Sequence, residues 1–181
     1  QDLTVYSNLP RIDFVTEVEW NEKRTLLKAA FPADVRSSRA TYEIAYGAIE
    51  RATHHNTAWD RARHEVSGHR WADLSEGDYG ISVLNDSKYG WDCKDNVLRI
   101  SLLRSSIDPD PRADEGHHEF TYSLYPHAES WRNGTVQQAF DLNHPFIATV
   151  ARASRGVLPP AHTLVSVDVD HVIIDTVKRA E

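Results

Sequence analysis

The chain contains one cysteine, no methionine and no apolar run near the roughly 18 residues that a membrane-spanning helix requires. A membrane partner is therefore not expected. The lone Cys93 cannot close an internal disulfide, which excludes a disulfide-stapled secreted scaffold and points to a reducing compartment, the cytosol. Basic residues are the minority, 20 against 27 acidic ones for a net charge of -7, so the electrostatic footprint of a nucleic-acid binder is missing and no nucleic acid is expected as partner. Polar, neutral or sugar-like ligands fit this balance better. The start, Gln1-Asp2-Leu3, carries neither the basic nor the apolar region of a signal peptide. At the other end, Val165 to Ile174 alternates like a strand and runs on to Glu181 without a stop signal. Both ends suggest a piece of a longer chain, residues 1–181 forming a single β-sandwich region.

What is present is ample core material. With 181 residues, 40% of them hydrophobic, the chain is long enough to bury about 70% of its unfolded surface. From Arg11 to Trp20, Ile12, Phe14, Thr16, Val18 and Trp20 fall on one face and Arg11, Asp13, Glu17 and Glu19 on the other, the period of a half-buried strand. The alternation recurs at Tyr42, Ile44, Tyr46 and Ala48, at Leu98, Ile100 and Leu102, and at Phe120, Tyr122 and Leu124. Turn chemistry separates these runs at Glu76-Gly77-Asp78, Lys94-Asp95-Asn96, Asp108-Pro109-Asp110-Pro111 and Asn143-His144-Pro145. The pattern predicts an all-β antiparallel sandwich with one short helix, Thr135 to Leu142. The expected core is Trp20, Phe31, Tyr42, Ile44, Leu84, Ile100, Leu102, Phe120, Tyr122 and Leu124.

Ten histidines invite a metal hypothesis, but their spacing does not support one. His54 and His55 are adjacent, as are His117 and His118, and neighbours on a strand point to opposite faces; there is no His-x-His. No metal site is expected within this chain. The segment Leu84 to Asp92 is the densest in functional groups, following a strand from Tyr79 to Leu84. Asn and Asp beside aromatic platforms suit a sugar, whose hydroxyls need donors and acceptors while its C–H face stacks on a ring. An ordinary turn, opened by Asn85-Asp86 with Gly90 at positive φ, accounts for the same residues. Two further polar clusters, Thr53 to Asp60 and His69 to Glu76, read as binding edges or as corners in which Trp59 or Trp71 plugs the sandwich end while Asp60 or Asp73 caps backbone amides.

Taken in order, these strings resemble the C-terminal β region of the glycoside hydrolase family 38 α-mannosidases, in their cytosolic and bacterial branch. The resemblance runs through Arg11-Ile12-Asp13-Phe14, Leu26 to Pro32, Tyr42-Glu43-Ile44, Ile49-Glu50-Arg51, Asn56 to Asp60, Trp71 to Glu76, Asn85 to Gly90, Leu102-Leu103-Arg104-Ser105, Pro109-Asp110-Pro111, Tyr125-Pro126-His127 and Val177 to Glu181. It implies a zinc-dependent retaining exo-α-mannosidase whose zinc, held by two His and two Asp, and whose aspartate nucleophile belong to a catalytic region upstream. No catalytic residue and no metal ligand is then expected here. This chain becomes a wall of the substrate pocket, with Arg104, Asn85, Asp86, Lys88 and Tyr89 as the implied contacts. The implied partners are an α-mannoside or mannose-containing oligosaccharide, the enzyme's own catalytic domain and further copies in a homo-oligomer. The alternative is a non-catalytic carbohydrate-binding or subunit-assembly module.

Overall fold

Branched and aromatic residues at every second position, bounded by Gly, Pro, Asn and Asp, favour short strands that bury one face. The structure, a computed structural model, describes residues 1–152, 156–157, 159–169 and 171–180 and bears this out. Eleven strands form in chain order: β1 (Asp2–Val5), β2 (Ile12–Trp20), β3 (Leu26–Pro32), β4 (Arg39–Ile44), β5 (Gly47–Ala52), β6 (Val66–Ser67), β7 (Trp71–Glu76), β8 (Tyr79–Asn85), β9 (Gly90–Lys94), β10 (Val97–Arg104) and β11 (Gly116–Ala128). Two helices join them, α1 (Ala58–Ala62) and α2 (Thr135–Asn143). The strands build a seven-stranded sheet, β1-β2-β11-β8-β7-β4-β5, and a four-stranded sheet, β3-β10-β9-β6. All pairings are antiparallel.

The main core lies between the sheets. Tyr42, Leu74, Val83, Phe120 and Tyr122 from the larger sheet meet Trp91, Leu98, Ile100 and Leu102 from the smaller. The Tyr122 ring stacks on Phe14, with centroids 5.0 Å apart, and the Phe31 ring stands edge-on to both. Phe31 and Leu124, both expected in the core, are only half-buried and pack against its margin.

Two of the expected patterns fold differently. The run Tyr42 to Ala48 is not one strand: a two-residue turn at Ala45-Tyr46 splits it into the β4–β5 hairpin, with Tyr46 in the left-handed region at φ 55°. Ile44, expected in the core, therefore lies beside the turn and is 36% exposed. The second difference concerns the far face of the seven-stranded sheet. Period two assigns Asp13 to solvent, yet Asp13 is buried and takes two hydrogen bonds from Arg11, one from Ser123 and one from Tyr6. The cause is α2, which lies across this face and buries Trp71, Leu84 and Tyr125 against Ala139, Val136, Leu142 and Trp131. The helix is held to the sheet by a buried polar cluster. Asp73 receives hydrogen bonds from Ser75 and Ser82 and lies 2.7 Å from His127 Nε2, while the Ser82 and Thr135 hydroxyls are 2.7 Å apart. Entry into α2 requires Gly134, which has φ 92° and whose place a Cβ would contest, 2.5 Å from the Tyr125 hydroxyl.

The described residues divide into two units, 1–146 and 147–181. The first holds every strand and helix above. In the second, the strand expected at Val165 to Ile174 is not formed by the described residues of that stretch; Asp170 lies outside them. Alternation supplies a face, whereas a strand also needs a hydrogen-bonded neighbour, and none of these residues is paired. Among the described residues no helix is long and apolar enough to cross a membrane.

Candidate functional site

At one end of the sandwich, the ends of β2, β8 and β10 meet the start of β11. Trp20 closes β2 and donates its indole N–H to Ser105 Oγ at 2.6 Å, tying the two sheets together just beyond Arg104. Asp86, immediately after β8, bonds to the β11 backbone in both directions: its N–H to the Thr121 carbonyl and its Oδ2 to the Thr121 N–H at 2.8 Å. The loop from Asp86 to Tyr89 is thereby clamped onto a strand, and β9 returns from it at Gly90.

The five residues implied as contacts serve different ends. Asn85 is buried: its amide donates to the His69 carbonyl at 2.9 Å and its Oδ1 accepts the Lys88 N–H at 2.5 Å. It shapes the loop from within and presents nothing outward. Asp86 is exposed, but its oxygens accept from Ser87 Oγ and the Thr121 N–H, so it too works locally. Lys88 is half-buried with its ammonium 4.4 Å from the Phe120 ring centroid, a cation–π contact. Burial pushes its pKa below the ordinary lysine value, an effect that the charges of Asp114 and Asp86 oppose. Tyr89 is 56% exposed, its ring edge-on to His69, and offers the open aromatic face that the sequence suggested.

Arg104 ends β10 with its side chain exposed. Its backbone N–H donates to Asp114 Oδ2 at 2.8 Å, the same carboxylate whose charge acts on Lys88. Among the described residues its guanidinium forms no ion pair, neither with Asp108 nor with Asp86. Sequence reading missed Asp114 because it sits in an irregular stretch between β10 and β11, in the left-handed region at φ 60°; Asp at such a φ is a turn signal. Gly90 was expected at positive φ, but it is not among the residues that adopt one. It gives clearance: an added Cβ would lie 3.0 Å from Ser101 Cβ and 3.3 Å from Glu65 Oε1, close enough that a neighbour would have to shift by a few tenths of an ångström.

The two other polar clusters separate in the same way. Asp60 closes a capping box with Thr57 at the start of α1, and its carboxylate, accepting from the Thr57 hydroxyl and the Thr57 N–H, has its pKa lowered by those two bonds. Trp59, on α1, is 84% exposed and plugs nothing. Trp71 is buried under α2 and stacks on Trp131, and Asp73 belongs to the buried cluster there rather than to a cap.

Comparison with known proteins agrees with this architecture. Residues 1–112 match the family model described as "Glycosyl hydrolases family 38 C-terminal domain". The chain is 46% identical to Alpha-mannosidase 2C1 of Homo sapiens over 182 residues and 43% identical to Alpha-mannosidase G of Dictyostelium discoideum over 185 residues. Each match covers 100% of this chain and 17% of the relative's own length. An α-mannosidase structure from Enterococcus faecalis V583 superposes with a TM-score of 0.74 at 20% identity, covering 83% of this chain and 18% of that one. A second structure from Enterococcus faecalis, of a protein in glycosyl hydrolase family 38, gives a TM-score of 0.75 at 20% identity, covering 88% of this chain and 20% of that one. The likeness to these structures concerns the fold. With the family model matched through β10 and the whole chain aligned to α-mannosidases, the chain belongs to the C-terminal domain family of the family 38 glycosyl hydrolases.

Proposed function

We propose that this chain is the C-terminal β region of a cytosolic, zinc-dependent, retaining exo-α-mannosidase and that its Arg104–Lys88–Tyr89 rim forms a wall of the substrate pocket. The observation that carries the reading is the exposed Arg104 guanidinium at a strand end, without an ion pair among the described residues, in a molecule whose Asn85–Gly90 loop also exposes Tyr89. A guanidinium offers five donors in a fixed plane, suited to sugar hydroxyls or to holding a carboxyl group of the catalytic domain in place. Tyr89 adds a face on which a pyranose ring stacks. A retaining glycosidase needs two carboxyl groups flanking the scissile bond, one as nucleophile and one as acid. In this reading both come from the catalytic domain. The carboxylates at this rim, Asp86 and Asp114, are already engaged with backbone N–H groups.

The residues present do not fit the catalytic zinc. Among the described residues one group of three side chains brings ligand atoms together, Glu17, His117 and Glu119, with a single His and no Asp, against the two His and two Asp that the family resemblance implies. The chain is therefore assigned no part in holding that ion. The cytosolic placement rests on the single thiol, Cys93, which is buried and unpaired.

A second reading, a buttressing or assembly module without pocket contacts, draws on the inward or local engagement of Asn85 and Asp86. The two readings separate in the full-length enzyme. In the first, Arg104→Ala lowers kcat/KM for an aryl α-mannoside about tenfold or more, the loss of one charged hydrogen bond, with an unchanged melting temperature. Unchanged kinetics would remove Arg104 from the pocket and favour the buttress.

A further inference from the structure

Polar side-chain atoms left buried without a hydrogen-bond partner are few in a folded protein, and each calls for an explanation. Among the described residues three of them, Arg51 Nη1, His54 Nδ1 and His55 Nε2, belong to residues that line one cavity. Arg51 lies on β5, and the two histidines follow in the connection to α1. Val66 of β6 and Cys93 of β9 line the same cavity from the other sheet. It measures about 20 Å³, room for one occupant the size of a water molecule or a chloride ion.

The charge around this cavity decides between those occupants. Asp60, Glu65 and Asp92 line it, but each is engaged elsewhere. Asp60 accepts from the Thr57 hydroxyl and N–H, and Asp92 accepts from Lys28 Nζ and Arg99 Nη1, both at 2.6 Å. Glu65 accepts from the Ser101 hydroxyl and lies 3.2 Å from Lys28 Nζ. Lys28 and Arg99, which do not line the cavity, thus take up the charge of Asp92 and Glu65. His54 Nδ1 stands 3.5 Å from Asp60 Oδ2 without a hydrogen bond to it. Arg51 forms no ion pair among the described residues, and its guanidinium lies 4.8 Å from the Tyr42 ring centroid. Burial pushes its pKa below the ordinary arginine value; Tyr42 opposes that effect and the charge of Arg63 adds to it. Arg63, 3.8 Å from Asp60 Oδ1, and Lys94 bring two further cations to the wall. A water molecule would satisfy the orphaned nitrogens but leave the Arg51 guanidinium without a counter-charge, and burying an unpaired charge is costly.

We propose that this cavity binds one monoatomic anion of chloride size, held by N–H groups of Arg51 Nη1 and His55 Nε2 with His54 as a third donor. A guanidinium nitrogen always carries protons, and each imidazole nitrogen donates in the tautomer that protonates it. Sulfate and phosphate are too large for the space. The anion would join β5 of the seven-stranded sheet and the connection to α1 to the β6–β9 wall of the four-stranded sheet, so its effect is on the stability of that corner.

The test combines two measurements on the full chain at neutral pH. Melting temperature is followed in sodium chloride and in sodium gluconate at equal ionic strength, and crystals soaked in sodium bromide are examined by anomalous diffraction. Chloride is expected to raise the melting temperature by about 2–4 °C between 1 and 100 mM, relative to gluconate, as a ligand bound only by the folded state does. One bromide peak is expected within hydrogen-bonding reach of Arg51 and His55. Arg51→Gln is expected to lose the chloride increment. Arg39→Gln, which removes a cation paired with Glu50 and outside the cavity, is expected to keep it. The bromide peak needs no variant, so the proposal stays testable even where Arg51→Gln does not fold. A water in the cavity with no anomalous signal would overturn the proposal. So would a bromide peak without any chloride increment, which is binding at crystal concentration only, or a cooperatively melting Arg51→Gln that keeps the full increment.

Discussion

At the scale of single residues, position decides which chemistry a side chain keeps. Cys93 lies within β9, buried against the main core. Burial, assisted by the neighbouring charge of Asp92, pushes its thiol pKa up to about 12. At neutral pH almost no thiolate exists, and the thiolate is the reactive form. Ellman-type labelling of native protein at slightly alkaline pH should therefore be slow and should become rapid in denaturant; fast labelling of the native chain would contradict the buried placement. The loop from Asn85 to Gly90 shows the same principle. Its residue types suggested a row of contacts, but Asn85 faces inward, Gly90 serves clearance and the Lys88 ammonium lies over the buried Phe120 ring, which leaves Tyr89 as the open aromatic face.

At the scale of elements, legibility followed periodicity. Strands with alternation over several residues, such as β10 up to its bulge at Ser101–Leu103 and β11 around Phe120 and Tyr122, were readable because a two-residue period with branched and aromatic side chains has one economical fold. Ile100 and Leu102, expected in the core, lie there at 0% and 7% exposure. Ile100→Ala should cost about 2 to 5 kcal/mol in chemical denaturation; a cost under roughly 0.5 kcal/mol, the usual size for surface changes, would place it outside the core. The short helix was visible too, expected to end at Leu142 and observed to end at Asn143. Its role was not visible. Whether a polar residue at an outward position meets water or a covering helix depends on how a distant segment returns, and alternation carries no trace of that. Asp13, Ser82 and Ser123 were thus unreadable as buried groups. The Ala45-Tyr46 turn was obscured for a different reason: Tyr at positive φ lacks the Gly or Asn that marks most such turns.

At the scale of the whole molecule, the ordered sheets and helices all belong to unit 1–146. A chain ending at Phe146 should therefore retain the β-rich far-ultraviolet circular dichroism and lie within a few degrees of the parent melting temperature; loss of cooperative unfolding would show that residues 147–181 contribute to that core. The polar layer beneath α2 adds a constraint of another kind. Asp73, Ser82, His127 and Thr135 come from β7, β8, β11 and α2, yet they share a few hydrogen bonds in a space closed to water. A partner removed from such a network leaves the others unsatisfied, which costs more than the bond itself contributed. The four positions therefore form one heritable unit: drift at any one of them is checked until compensating changes arrive at the others, so across diverging descendants this layer changes together or not at all.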